Sequence, residues 1–371
     1  KGELQTYWLA LKHGEAISAH SGENDSSESS DDSENDSVDK QAKQTVVSTL
    51  TAKQNRIVDW HVDLLQRLLK NIVAHRQALG VKPDAANRMR VAEKNLKNPD
   101  QMVIDEVQDV IMLPQYDAKA AQKQAETESV EIDPVVISQL RNYVHTIALM
   151  YCDNPFHNYE HASHVMMSCV KLLSRIVEPD IETGDDNAAK SLHDHTYGIT
   201  SDPLTQFSVI LSALIHDVDH SGVPNTQLIK ENHKLCTLFK NNSVAEQHSV
   251  DIAWDLLMED SYVDLRGMIY SNEQELKRFR QLVVNAVMAT DIMDKELGLK
   301  RRARWNKAFS EESTIEGPRP SSEEETNRKA TIIIEHLIQA SDVAHTMQHW
   351  HVYKKWNGQL FEELYRAYKE G

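Results

Sequence analysis

The sequence predicts an all-α protein, a multi-helix bundle, and three observations lead there. Apolar residues recur at helical spacing in one stretch after another. No convincing period-two alternation appears after the first fourteen residues. The groups richest in histidine and aspartate fall at the ends of the most apolar of these helices.

In chain order, residues 1–14 carry Thr6-Tyr7-Trp8-Leu9-Ala10-Leu11, a strand-like run with no nearby partner. Residues 21–39 are almost entirely Ser, Asp, Glu and Asn. Such a stretch buries too little surface to offset its ordering entropy, so residues 15–45 read as an acidic, Ser-rich disordered linker. Its serines lie among acids, where phosphorylation is conceivable, but a solvated spacer is the simpler reading. Helices then dominate. Ile57, Val58, Trp60, Leu64, Leu65, Leu68, Leu69, Ile72 and Val73 share a helical period. The stretches 135–150, 204–215, 249–258, 279–288 and 331–340 repeat it. The polar, acidic stretches 117–130 and 311–328 read as surface loops. Residues 46–371 thus form one all-α domain.

Composition narrows the function. Of 371 residues, 40% are hydrophobic, so a sizeable core is available. No window of about 18 apolar residues could span a membrane, and no apolar segment follows Lys1 as in a signal peptide. The first residue is not Met, which suggests a fragment. The formal charge is −17, and eight of the negative charges lie between Ser21 and Asp39. That balance argues against a nucleic-acid partner. A small anionic substrate would need a local cation, which a metal supplies. Cys152, Cys169 and Cys236 form no CxxC pair and read as buried free thiols in a reducing compartment.

The 18 histidines matter by their grouping. His157 and His161 are four apart and would share a helix face. His216-Asp217-Val218-Asp219-His220 follows the apolar run Val209 to Ile215, where buried polar groups must be paired or bind metal. Asp342 ends another apolar helix, marked by Ile332, Ile333, Ile334, Leu337 and Ile338. Any one of these alone is more often a satisfied core histidine or a capping aspartate. Together, His161, His216, Asp217 and Asp342 suit zinc, and a bridging carboxylate suits a second, harder ion such as magnesium. Other groups carry less weight. His193-Asp194-His195 reads as a surface loop, His349 as an ordinary helix residue, and Met166 and Met167 as core.

These residues match a family. His157-Asn158-x-x-His161-Ala162, His216-Asp217-x-x-His220-x-Gly222-x-x-Asn225, Glu246, Thr290-Asp291 and Asp342 resemble class I 3′,5′-cyclic nucleotide phosphodiesterases in order and spacing. The resemblance covers residues 100 to 371. It implies an HD-like bundle with a binuclear metal site. Zinc would be held by His161, His216, Asp217 and Asp342, and Asp217 would bridge to magnesium, or manganese, at the second site. His220, Glu246, Thr290 and Asp291 would orient metal-bound waters. Asn158 and His345 would contact the nucleotide, and His157 would be the general acid. The implied reaction takes cAMP, cGMP or both to nucleoside 5′-monophosphates, with a metal-bridging hydroxide attacking phosphorus and His157 protonating the departing 3′ oxygen.

Phe156 stands where many members have Tyr, His345 where many have Asn, and Gln227 where an apolar residue is usual. The family continues past Asp342 with two long helices that supply a base-binding Gln and a stacking Phe. Neither has a candidate here, because Gly371 falls inside what resembles the first of those helices, so the domain is expected to be C-terminally truncated. At the other end, Lys1-Gly2-Glu3-Leu4-Gln5-Thr6-Tyr7-Trp8-Leu9 resembles the last strand of class III nucleotidyl cyclases. That implies a cyclase joined to a phosphodiesterase at the cytoplasmic face, anchored in a membrane upstream. No membrane contact is expected within the chain itself, and dimerisation stays open.

Two other function classes compete. A different HD-type phosphohydrolase, such as a nucleotidase, would lack the His157-Asn158 pair and Glu246. A degenerate nucleotide-sensing or scaffold domain would not need every ligand and the acid.

Overall fold

The computed structural model describes residues 50–98, 101–125, 130–175, 188–309 and 322–370. The expected strand at residues 6–11, the cyclase-like run and the acidic linker all lie outside the described residues.

Among the described residues every regular element is helical. The α-helices are α1 (Ala52–Leu79), α2 (Ala86–Leu96), α3 (Ala118–Ala125), α4 (Pro134–Met150) and α5 (Tyr159–Arg175). Next come α6 (Ala188–His195), α7 (Pro203–Ile215), α8 (Asn225–Lys230), α9 (Lys234–Leu238) and α10 (Val244–Leu257). The last are α11 (Val263–Ile269), α12 (Glu273–Met288), α13 (Lys295–Phe309), α14 (Ser322–Asp342) and α15 (Trp350–Glu370). No described helix is long and apolar enough to cross a membrane.

Local signals start and stop these helices. Thr51 opens α1 through a capping box with Gln54, and Gly80 closes it in the left-handed conformation (φ 63°). Asp133 caps α4 ahead of Pro134. Helix α7 is the centre of the bundle, with every residue buried except Gln206. Its serine hydroxyls are satisfied within the helix, Ser208 donating to Leu204 O and Ser212 to Ser208 O, and Thr205 donates to Asp202 just before it. It packs against α1, α5 and α12, and α5 packs in turn against α14. The order α14, α5, α7 brings together the three helix ends that carry the ligand candidates.

The structure corrects several local expectations. Residues 118–125 form a helix, not a loop. Residues 322–328 are the first turns of α14, whose acids Glu323, Glu324 and Glu325 suit the positive end of the helix dipole. His193 lies on α6 and is buried, 2.5 Å from Ser201 Oγ and edge-on to Tyr116. His157 does not share a helix with His161, because α5 begins only at Tyr159. Cys169 and Cys236 are buried, but Cys152 is only half-buried, 3.7 Å from Asp219.

Candidate metal centre

Three elements deliver the four candidate ligands. His161 sits in the first turn of α5, His216 and Asp217 directly follow α7, and Asp342 is the last residue of α14. His161 Nε2 lies 3.0 Å from Asp342 Oδ1 and 3.6 Å from Asp217 Oδ2. His216 Nε2 lies 3.0 Å from Asp217 Oδ2 and 3.5 Å from Asp342 Oδ1. His161, His216 and Asp217 are all buried.

Two features favour a cation over a simple polar cluster. His216 Nε2 and Asp217 Oδ2 are buried without a hydrogen-bond partner, which is costly unless something else satisfies them. His216 Nδ1 faces Ala213 O at 3.0 Å, which makes that nitrogen the donor, so the neutral ring would present the Nε2 lone pair to a cation. A divalent ion would answer both atoms. In its absence the imidazole and carboxylates offset one another. Burial would lower the pKa of His216, but Asp217 and Asp342 drive it well upward. Burial would raise Asp217 and Asp342, but the neighbouring histidines hold both below the usual carboxylate range.

A second ring of acids lies alongside. Asn225 Nδ2 donates to Glu246 Oε2 at 2.9 Å and reaches Asp291 Oδ2 at 3.4 Å. Burial, then the charge of Asp291, pushes the Glu246 carboxyl up to about 7. Asp291 also caps the turn after it, accepting from Met293 N and Asp294 N. Thr290 spends its hydroxyl on Val287 O. Asn158 caps α5 through Oδ1, accepting from Glu160 N and His161 N, while its Nδ2 donates to Asn154 O and Pro155 O. His345 stands edge-on to Phe156, 5.3 Å between ring centroids, with Nδ1 unpartnered.

His157 lies in the turn before α5, its ring 5.9 Å from that of His161 and 4.1 Å from the tilted ring of His220, between centroids. Burial, then the nearby charge of His157, takes the pKa of His220 down to about 4, so that ring is neutral. The sequence reading missed the partner of His157, which is Glu363 on α15. Glu363 Oε1 pairs with His157 Nδ1, and Oε2 accepts from Phe156 N at 2.8 Å and His157 N at 3.0 Å. Burial would raise the pKa of Glu363, but these bonds hold it down. Trp356, about two turns earlier on α15, packs against Phe156 and His164.

The comparisons with known proteins agree. Residues 156–371 match the family model described as 3′5′-cyclic nucleotide phosphodiesterase. A probable 3′,5′-cyclic-AMP phosphodiesterase of Caenorhabditis elegans is 28% identical over 229 residues, covering 62% of this chain and 30% of that protein. The human cGMP-inhibited 3′,5′-cyclic phosphodiesterase 3A is 30% identical over 183 residues, covering 43% of this chain and 16% of that protein. The chain therefore spans under a third of the length of these relatives. The phosphodiesterase domain of the rhodopsin phosphodiesterase of Salpingoeca rosetta shares the fold, with a TM-score of 0.50 at 20% identity over 77% of this chain and 75% of that one. From the bundle, the buried His/Asp cluster and the family match over more than half of its length, the chain belongs to the 3′5′-cyclic nucleotide phosphodiesterase family.

Proposed function

We propose that the chain carries the hydrolytic site for the phosphodiester of 3′,5′-cyclic nucleotides, cAMP, cGMP or both, releasing nucleoside 5′-monophosphates. The observation that carries this reading is His157, held by Glu363 beside the buried His161, His216 and Asp217 and the half-buried Asp342. His161, His216, Asp217 and Asp342 would hold zinc, and Asp217 would extend to magnesium or manganese. When bound, such ions lower the pKa of water and offset charge on the phosphoryl oxygens.

The remaining work falls to side chains. Glu363 accepts from the Nδ1–H of His157, so the ring is oriented with Nε2 free to carry a proton. A protonated His157 gives that Nε2 proton to the departing 3′ oxygen and keeps its Nδ1 proton, which stays hydrogen-bonded to Glu363. The neutral ring of His220 backs the His157 ring without competing for the proton. Glu246 and Asp291, tied by Asn225, line up to orient waters. His345 is the remaining polar group near Phe156 offered to the nucleotide. Thr290 belongs to this group by motif only.

We further infer that the chain belongs to a longer protein. The outward face of α15 exposes Trp350, Phe361, Leu364, Tyr365 and Tyr368, which supports further helices packing there and a base pocket formed with them. The run Lys1–Leu9 supports a cyclase domain upstream, with the whole at a cytoplasmic membrane face. The test is hydrolysis of cAMP and cGMP by the parent protein, with and without EDTA. Hydrolysis that EDTA abolishes is expected, and its absence for both nucleotides overturns the reading.

A further inference from the structure

Asn154 joins two loops that the chemistry needs in register. Its Nδ2 donates to the carbonyl of His157 at 2.9 Å and to the carbonyl of His220 at 2.6 Å. Its own carbonyl accepts from Asn158 Nδ2 at 2.8 Å. Both hydrogens of Nδ2 are therefore used, and only the nitrogen side of the amide can face two carbonyls. Its Oδ1 is thereby turned toward Gly222. A Cβ at position 222 would stand 2.9 Å from Asn154 Oδ1 and 3.4 Å from Glu363 Cγ, and Gly222 also has φ 76°.

One amide thus ties the backbone of the loop bearing His157 to the backbone of the loop that follows Asp217. Between those two anchor points the rings of His157 and His220 meet, their centroids 4.1 Å apart and their planes tilted by 34°. Glu363 is seated on the other side, against Phe156 N and His157 N. Nothing in the metal cluster contributes to this clip, because neither bond of Nδ2 reaches a ligand side chain.

We propose that Asn154 is a positioning residue for proton donation. It sets the His157 ring against His220 and Glu363, while Gly222 leaves the room its amide needs. The inference rests on His157 being the general acid. It concerns geometry: a reacting group displaced by about 1 Å can lose on the order of 10²-fold in rate.

Asn154→Asp tests it, because aspartate keeps the shape and removes both donors. In the parent protein loaded with zinc and magnesium, kcat for cyclic nucleotide should fall on the order of 10- to 100-fold. KM should stay within about twofold and zinc content should be unchanged, since no contact with substrate or metal is lost. The imidazole resonances of His157 and His220, read by NMR in 15N-histidine-labelled protein, should shift while those of His216 stay in place. Gly222→Ala should lower kcat less in an Asn154→Ala background than alone, since the backbone strain at 222 is common to both and cancels in the cycle. A reduced Tm with unchanged kcat would show a structural clip only and overturn the proposal. Unmoved His157 and His220 resonances in Asn154→Asp would overturn it as well. Absence of hydrolysis by the wild-type protein defeats the phosphodiesterase reading instead, so the two failures are distinguishable.

Discussion

His157 is hydrogen-bonded through Nδ1 to the carboxylate of Glu363, 206 positions further along the chain. Burial by itself would strip the imidazole of its proton. The charges of Asp217, Glu363 and Asp342 outweigh burial and raise its pKa above the ordinary value. Asp217 and Asp342 give up much of that influence when they hold a cation. Glu363 lies outside the ligand cluster and keeps its own.

Glu363→Gln should therefore weaken the acid without removing the hydrogen-bond partner. An acid must be protonated to act, so its ionisation forms the alkaline limb of the pH–rate profile. Losing the carboxylate lowers the His157 pKa and moves that limb to lower pH. The expected result is a kcat reduced by about tenfold above the limb and closer to wild type below it. A limb that does not move would show that Glu363 serves only to seat the loop.

His157→Ala removes the proton donor outright. Turnover should fall roughly 10²- to 10⁴-fold, with zinc per chain unchanged by atomic absorption. Loss of zinc in this variant would make His157 a ligand and reject its assignment as the acid.

Metal should stabilise the fold through the ends of α5, α7 and α14. At a free concentration about a hundred times Kd, a bound ion contributes about 2.7 kcal/mol. Calorimetry should show Tm rising with added zinc for wild type. Asp342→Asn should abolish most of that rise while leaving a cooperative transition. An equal rise in both proteins would place the ion elsewhere.

Glu246 offers a pH test in the metal-free protein. Its pKa is raised to about 7, chiefly by burial, whereas an unfolded chain would titrate it near 4.3. Between those values the folded state binds the extra proton, so its contribution to stability is present at low pH and lost as pH rises to about 7. Glu246→Gln has no such proton. Denaturation of wild type should show stability falling more steeply with pH across that window, by up to about 1.4 kcal/mol per pH unit, than in the variant. Parallel curves would mean that Glu246 titrates normally.

The candidate ligands, which the structure brings within 3.0–3.6 Å of one another, stand out in the sequence because each is marked locally. His216-Asp217 interrupts an apolar run, Asp342 ends one, and His161 sits at fixed spacing from His157. The helices α1 and α4 stand out for the same reason, since their buried faces repeat every three or four residues, and α7 stands out as a nearly unbroken apolar run. Glu363 had no such mark. It is one of two adjacent acids on an amphipathic helix, and only the tertiary path of α15 separates it from the exposed Glu362. Asn154 was equally silent, as an asparagine before proline reads as a turn residue. The acidic start of α14 was misread because Ser-Glu-Glu-Glu looks like a loop by polarity, although those charges favour a helix N-terminus. His193 was misread because a short polar segment conceals which single face is turned inward.

The meeting of His161 and Asp342 has a consequence for the chain as a polymer. The two are 181 positions apart and in contact. An ion gripping both would close a loop between them in the folded state and would leave on unfolding, so unlike a disulfide it stabilises by mass action, in step with its free concentration. Such a link is reversible and depends on supply. Metal scarcity would then act first on the lifetime of the folded protein, through proteolysis of chains released from the loop, and second on its rate of turnover.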